Sequence, residues 1–120
     1  MIKQEYIGKY GEMAAVNYLR KKHYKLYDVN FRCRFGEIDA VMTKGKYIVF
    51  VEVKSRSSGS IASPAEFVDF SKQQKIIKTA EYFLSLNNTK LQPRFDVVEV
   101  FFEKGKIKSI KHLENAFTLL

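Results

Sequence analysis

The chain has 120 residues, of which 46% are hydrophobic, and a formal net charge of +8. This length suits one domain over residues 1–120, and the composition excludes a disordered chain. The single cysteine, Cys33, excludes an internal disulfide, and no apolar run approaches the roughly 18 residues of a membrane helix. We therefore expect a cytoplasmic protein without membrane association, whose basic excess suits a polyanion such as nucleic acid.

The first half of the chain predicts one helix followed by three strands. Apolar residues recur at spacings of three and four over 3–22, which predicts the helix. The predicted strands are 24–31, 36–43 and 47–54. A Lys-Gly-Lys sequence at 44–46 joins the last two strands, and its glycine supplies the positive φ of a tight turn. The last strand is apolar on both faces, which is typical of a central strand that is covered from both sides.

The second half predicts a long helix and two further strands. These elements cover 64–86, 95–103 and 106–111. Pro64 suits the first turn of the helix, and a pair of asparagines after residue 86 ends it. The tail from Leu113 onward has no clear periodicity. The resulting order, α-β-β-β-α-β-β, predicts an α/β fold with a central mixed sheet sandwiched by helices.

Three charged residues on the predicted hairpin carry the functional argument. If Gly45 and Lys46 form the turn, Asp39 lies directly opposite Glu52, with Cβ atoms about 4.5–5.5 Å apart. Lys54 shares the same face of the sheet, two residues further on. A turn placed one residue earlier keeps the three side chains on one face. A three-residue loop would put Asp39 on the opposite face, so both alternatives stay open.

Two carboxylates beside a lysine suit metal-dependent phosphodiester chemistry. Charges on an apolar central strand are costly to bury unless they are paired or bind a metal. Asp39 and Glu52 can hold Mg²⁺ at about 2.0–2.1 Å, with waters and a substrate phosphate as the other ligands. Lys54 can orient or deprotonate the attacking water. Glu12, near the apolar side of the first helix, can complete or support the metal shell.

The spacing of these residues is the specific part of the signal. A lone Glu-x-Lys is usually an ordinary ion pair, whereas Asp39 followed by Glu52-Val53-Lys54 within one hairpin is uncommon. That pattern resembles the PD-(D/E)XK nuclease superfamily. More closely, the chain resembles the YraN-like family of uncharacterised bacterial proteins, which are related to archaeal Holliday junction resolvases. The matching stretches are 8–12, 36–41, 49–56 and 94–98.

The resemblance implies a restriction-endonuclease-like α/β/α sandwich with the core order α-β-β-β-α-β. It implies Mg²⁺ or Mn²⁺ as cofactor and DNA as substrate. By analogy with the resolvases, it implies branched or junction DNA in particular. The implied site residues are the metal ligands Asp39, Glu52 and the Val53 carbonyl, with Lys54 and Glu12 as the catalytic lysine and the helix acid. Ile38 stands where the motif has proline, which weakens the literal motif more than the mechanism.

Basic residues around the hairpin are candidate phosphate contacts, which position a nucleic acid without reading its sequence. The candidates are Arg32, Arg34, Arg56, Lys72, Lys75 and Arg94. Arg56 is the first choice because it follows Lys54 by two positions. Lys78, three residues after Lys75, suits a solvated helix face better. Asp96 is expected to hold Arg94 or a backbone group rather than a metal.

Three functions follow from these residues. The first is a metal-dependent endonuclease that hydrolyses DNA phosphodiester bonds. The second is a nucleic-acid-binding protein of DNA processing or recombination with little intrinsic cleavage. The third is a protein that acts on RNA, ranked behind DNA because phosphate contacts do not distinguish the two. The related resolvases pair across a junction, so the resemblance also admits a homodimer.

Overall fold

The computed structural model describes residues 6–57 and 69–118. These residues form two helices and five strands: α1 (Ile7–Lys21), β1 (Lys25–Cys33), β2 (Gly36–Lys44), β3 (Tyr47–Ser57), α2 (Phe70–Leu86), β4 (Gln92–Glu103) and β5 (Lys106–Phe117). The predicted order of seven elements is confirmed, and β5 follows the six-element core that the resemblance implied. Neither helix in the described part of the chain has the length and apolar character needed to cross a membrane.

The five strands form one mixed sheet in the order β1-β2-β3-β4-β5. Strands β3 and β4 are parallel, whereas the other three neighbouring pairs are antiparallel. Parallel pairing requires a crossover connection, and the segment that contains α2 lies between these two strands in the sequence. The predicted mixed sheet is therefore confirmed, with β3 at its centre.

The two helices cover opposite faces of the sheet. Helix α1 contributes Ala15 and Leu19 to a buried cluster that includes Val49 and Val51 of β3. Helix α2 packs on the other face, where Phe83 lies in a cluster with alternate β3 residues. Side chains alternate between the faces of a strand, so an apolar β3 serves both clusters. The predicted sandwich of helices around a sheet is confirmed.

The ends of the elements differ from the predicted bounds. Helix α2 begins at Phe70 within the described residues, and the Asp69 side chain caps it by accepting a hydrogen bond from the Lys72 amide at 2.8 Å. The predicted helical residues 64–68, including Pro64, lie outside the described residues, as do residues 3–5 of the first predicted helix.

Strand β5 continues to Phe117, six residues beyond its predicted end. Two register irregularities with β4 and a positive φ of 52° at Asn115 break the two-residue alternation. A bulge places two residues opposite one, so a strict alternation test does not detect the strand beyond it.

Candidate active site

The hairpin of β2 and β3 sets the position of the predicted acidic pair. Lys44 pairs with Tyr47, which confirms the two-residue turn, and the ladder runs to the pair of Ala40 and Val51. Beyond that pair, the Val53 amide donates a hydrogen bond of 2.8 Å to Asp39 Oδ2. The two strands therefore separate at Asp39 and leave room between their ends for side-chain chemistry.

The backbone changes face at Asp39. Ala40 belongs to the cluster under α1, whereas Ile38, two residues earlier, belongs to the cluster under α2. The neighbouring strand β1 has Asn30 at the same level, between the pairs Val29–Ala40 and Phe31–Ile38, with a φ of 51°. Asparagine tolerates this left-handed region better than most residues. Because of the change of face, Asp39 lines a cavity on each side of the sheet.

The cavity on the α2 side, which we call the carboxylate cavity, has a volume of about 320 Å³. It brings together four of the residues predicted for the active site or its metal: Asp39, Glu52, Val53 and Lys54. Helix α2 adds Lys72 and Lys75 to its wall. The helix approaches closely because Gly36 has no side chain; a Cβ there would lie 3.1 Å from Thr79 Oγ1.

Glu12 reaches the site from α1 on the other face. The helix packs tightly on β3 at Gly11, where an added Cβ would overlap the Ser55 side chain. One carboxylate oxygen of Glu12, Oε1, is buried and has no hydrogen-bond partner among the described residues. Burial, followed by the charges of Glu37 and Glu52, raises the pKa of Glu12. Glu12 thus brings to the site a carboxylate that is not fully hydrogen-bonded within the described residues.

The pKa of Asp39 is raised from 3.8 to about 7. Burial is the largest cause, the charge of Glu52 is the second, and the Val53 amide opposes them. Glu12 and Glu37 raise the pKa further. The acidic groups therefore repel one another in a partly desolvated place, which is the electrostatic setting that a bound cation relieves.

Two lysines neutralise Glu52, which is only 7% exposed. Lys72 Nζ lies 2.9 Å from Glu52 Oε1, and Lys54 Nζ lies 3.7 Å from the same oxygen. Burial and the neighbouring Lys72 lower the pKa of Lys54. Burial alone would lower the pKa of Lys72 as well, but its contacts with Lys54 and Glu52 outweigh burial and raise it. Sequence reasoning missed the Lys72–Glu52 pair, for which no local signal exists.

The donor set at this place fits an open magnesium site. Across residues 6–57 and 69–118, no group of three or more His, Cys, Asp or Glu side chains is arranged to enclose a metal ion. Magnesium is usually held by one or two carboxylates, with waters and substrate phosphates as its other ligands. Asp39 and Glu52 supply that number of carboxylates, and Val53 lines the same cavity. Oxygen ligands also suit Mn²⁺.

The other predicted basic residues lie in different surroundings. Arg32 pairs with Glu37 at 2.8 Å and lines the cavity on the α1 side. The Arg34 guanidinium lies 4.8 Å from the centre of the neighbouring Phe35 ring. Arg56 Nε lies 3.9 Å from Glu99 Oε2 on β4. None of these three arginines lines the carboxylate cavity, and Arg32 shares the cavity on the α1 side with Asp39.

Arg94 is held away from the carboxylate cavity. Its guanidinium forms two hydrogen bonds with Asp96, of 2.7 and 2.9 Å, and a third of 2.7 Å with the Tyr24 hydroxyl. Tyr24 belongs to the cluster under α1. The expectation that Asp96 holds Arg94 is confirmed, and the structure does not bring Arg94 to the predicted phosphate contacts near the site.

Comparisons with known proteins agree with one another. The model of the uncharacterised protein family UPF0102 matches residues 11–100. A UPF0102 protein of Caldanaerobacter subterraneus subsp. tengcongensis is 44% identical over 119 residues, which cover 97% of this chain and 98% of the relative. A relative from Caldicellulosiruptor bescii is 46% identical over 92% of this chain and 96% of its own length. A relative from Geobacter metallireducens is 45% identical over 94% of this chain and 93% of its own length.

Proposed function

The chain belongs to the uncharacterised protein family UPF0102, and we propose that this member is a metal-dependent endonuclease that hydrolyses DNA phosphodiester bonds. One observation carries the proposal. Asp39 and Glu52 share a cavity with Lys54 and Lys72, while burial and the charge of Glu52 raise the pKa of Asp39, which accepts one hydrogen bond from the Val53 amide. A site that needs a cation and offers ammonium groups beside it suits a phosphodiester substrate.

The metal would be Mg²⁺ or Mn²⁺, held by the Asp39 and Glu52 carboxylates and the Val53 carbonyl. When bound, it would polarise the phosphoryl oxygen and lower the pKa of a coordinated water. Glu12 would support the shell from the α1 side. This assignment uses the raised pKa of Asp39, which a cation shared with Glu52 would lower.

Lys54 and Lys72 would have different roles in the reaction. Lys54 has a lowered pKa, so its amine can accept a proton from the attacking water or orient that water by a hydrogen bond. Lys72 has a raised pKa and stays charged, so it stabilises the negative charge that develops on the phosphoryl oxygens. Attack at phosphorus breaks the bond to one bridging oxygen, which leaves with a proton from the solvent.

DNA is the proposed substrate because basic groups flank the cavity. Lys75 on α2 lines the carboxylate cavity and Arg32 on β1 lines the cavity on the α1 side, so these two residues would contact phosphates on either side of the acids. Arg56, which also contacts Glu99, would contribute from further along β3. The resemblance to Holliday junction resolvases supports branched DNA in particular. DNA is preferred over RNA on that resemblance, and a homodimer would follow if the resemblance extends to assembly.

The deciding experiment is cleavage of labelled single-stranded, duplex, flap and four-way-junction DNA with Mg²⁺ or Mn²⁺. We expect Lys54→Met to lower the rate by about 10²–10⁴-fold, as for loss of a proton-transfer group, and Glu52→Gln to abolish cleavage. Glu103→Gln is the matched control, since Glu103 is an exposed acid paired with Lys108. Circular dichroism and melting curves verify folding. Full activity in either site variant would refute the assignment.

A nucleic-acid-binding protein with little cleavage is the second candidate. The observation that favours it is the 2.9 Å contact of Lys72 Nζ with Glu52 Oε1, which already neutralises one of the two metal ligands. In this alternative the basic groups bind DNA, and the acids orient those basic groups through ion pairs. Salt-sensitive binding by the wild-type protein without cleavage under either metal would favour this function.

A further inference from the structure

A second cavity lies on the α1 face of the sheet, between α1 and β1, and we call it the α1–β1 groove. Its volume is about 410 Å³, within the range of roughly 300–1,000 Å³ that is typical of small-molecule sites. Met13 and Val16 of α1 and Val29 of β1 form its apolar walls. Met13 is 61% exposed and Val29 is 45% exposed, so apolar surface faces solvent on both sides of the groove.

The groove opens onto the acids of the proposed active site. Asp39 lines both the groove and the carboxylate cavity, because the backbone changes face at this residue. Glu12 also lines the groove, and the charge of Glu52 contributes to its raised pKa. A strand with its phosphate at Asp39 and Glu52 would therefore have an apolar recess beside it, on the other side of the hairpin.

The polar groups of the groove suit a nucleobase with its phosphate. Asn17 and Asn30 lie among the lining residues, and each carboxamide can both donate and accept hydrogen bonds, as a base edge requires. Lys9 and Arg32 add two cationic groups, which complement a phosphate. Apolar walls, carboxamides and cations in one recess match the three parts of a nucleotide.

A continuous duplex offers no ligand for such a recess. Its bases are stacked and paired inside the helix, and a protein must extrude a base or use an unpaired one to bind it in a pocket. The energy of unstacking is smallest for a base that is already unpaired. A base at a bulge, flap or branch point is therefore the ligand that the groove accepts at least cost.

We propose that the α1–β1 groove binds an unpaired nucleobase next to the phosphodiester at the carboxylate cavity, so that the protein prefers DNA with an unpaired nucleotide. The inference rests on the proposed function for the position of the strand. It adds a recognition element to that function: the groove selects the substrate, while Asp39 and Glu52 serve the reaction.

Binding in EDTA tests the groove without cleavage. The probes are a labelled duplex that carries one bulged 2-aminopurine and the same duplex fully paired. The groove variant is Met13→Ala/Val29→Ala. The control is Leu86→Ala/Ile107→Ala, which truncates a helix residue and a strand residue outside the groove that are 59% and 44% exposed. The control therefore removes a similar amount of exposed apolar surface.

We expect the wild-type protein to bind the bulged duplex about tenfold more tightly than the paired one, because the apolar walls of the groove pack on the unpaired base. Binding should change the 2-aminopurine fluorescence. The groove variant should lose the preference and the fluorescence change while its affinity for paired duplex stays the same, and the control should keep all three.

Two results would overturn the groove proposal: equal wild-type affinity for both duplexes, or an unchanged preference in the groove variant. Cleavage assays with Mg²⁺ on the same proteins separate this failure from failure of the proposed function. Equal metal-dependent cleavage of both duplexes by all three proteins would support the proposed nuclease activity and refute the groove proposal. A binding preference that depends on the groove, without any cleavage, would support base binding and refute the proposed hydrolysis.

Discussion

Asp39 and Asp96 are two aspartates near the middle of the same sheet, and their surroundings are opposite. Asp96 is fully buried and accepts hydrogen bonds from Arg94, His112 and the Asn115 amide. Asp39 accepts one from the Val53 amide and faces other acids. Burial would raise the pKa of both carboxyl groups, but the donors around Asp96 outweigh burial and lower its pKa.

The difference shows how a structural acid can be separated from a functional one. The charge of Asp96 is compensated within the protein, so Asp96 joins the end of β5 to β4 and needs no ligand. The charge of Asp39 is compensated only in part, which is the reason we propose Asp39 as a ligand of a cation. Of the two aspartates, Asp39 is thus the better functional candidate, because it combines a raised pKa with a place in a cavity.

The largest effect is expected for Asp96→Asn. The amide nitrogen of asparagine would face the donors that surround Asp96, and Arg94 would lose its charge partner. Breaking one partner of a buried ion pair costs about 3–5 kcal/mol. We expect a loss of that size in the free energy of unfolding, measured by urea denaturation. Glu103→Gln, at an exposed ion pair, should change the free energy of unfolding by less than about 0.5 kcal/mol. Equal losses in the two variants would contradict the structural role of Asp96.

A smaller effect of opposite sign is expected for Asp39→Asn. Because the native pKa of Asp39 is raised to about 7 from 3.8, the native state binds more protons than the unfolded state between these two pH values. The contribution of Asp39 to stability therefore falls as pH rises through that window. Asparagine does not titrate, so the variant avoids this loss.

Urea denaturation in EDTA measures this pH dependence. The variant and the wild type should have similar stability near about pH 4. Near about pH 8 the variant should be more stable by about 2 kcal/mol, roughly half of what the full pKa difference corresponds to, because solvent screens the charge of the half-buried Asp39. Parallel pH profiles for the two proteins would show that Asp39 is not repelled by its neighbours. That result would remove the main difference between the two aspartates.

The smallest effect concerns cations rather than acids. Lys75 lines the carboxylate cavity, and within the described residues it forms no ion pair, whereas Lys78 on the same helix is exposed and lies outside that cavity. We expect Lys75→Ala to reduce the slope of log affinity against log salt by about 1, as for loss of one phosphate contact. Lys78→Ala should leave the slope unchanged. Equal slopes for both variants would exclude Lys75 from the DNA contacts.

Much of the fold follows from local patterns. Apolar spacing located both helices, and the double apolar face of strand 47–54 identified the centre of the sheet. The extent of β5 did not follow, because two irregularities in its pairing with β4 break the alternation that marks a strand. The change of face at Asn30 and Asp39 was missed for a similar reason, although an asparagine within a strand is a signal for positive φ.

The contacts of the site likewise include some that local patterns predict and some that they do not. The hairpin register from Lys44–Tyr47 to Ala40–Val51 follows from a two-residue turn and the alternation of side chains, which are local properties, and it brings Asp39 into one cavity with Glu52 although the ladder ends before them. The contact of Lys72 with Glu52 joins residues 20 positions apart through the packing of α2 on the sheet. No periodicity encodes that distance.

The sequence by itself determined the order of the elements, the central strand and the hairpin register that brings the two acids together, because each depends on backbone geometry over a few residues. The tertiary structure decided that Lys72 neutralises Glu52 and that His112 contacts Asp96, and it opened a groove on the second side of Asp39. The first and the last of these outcomes depend on how the helices pack on the sheet, and the contact of His112 depends on the pairing of β5 with β4, which no local pattern encodes.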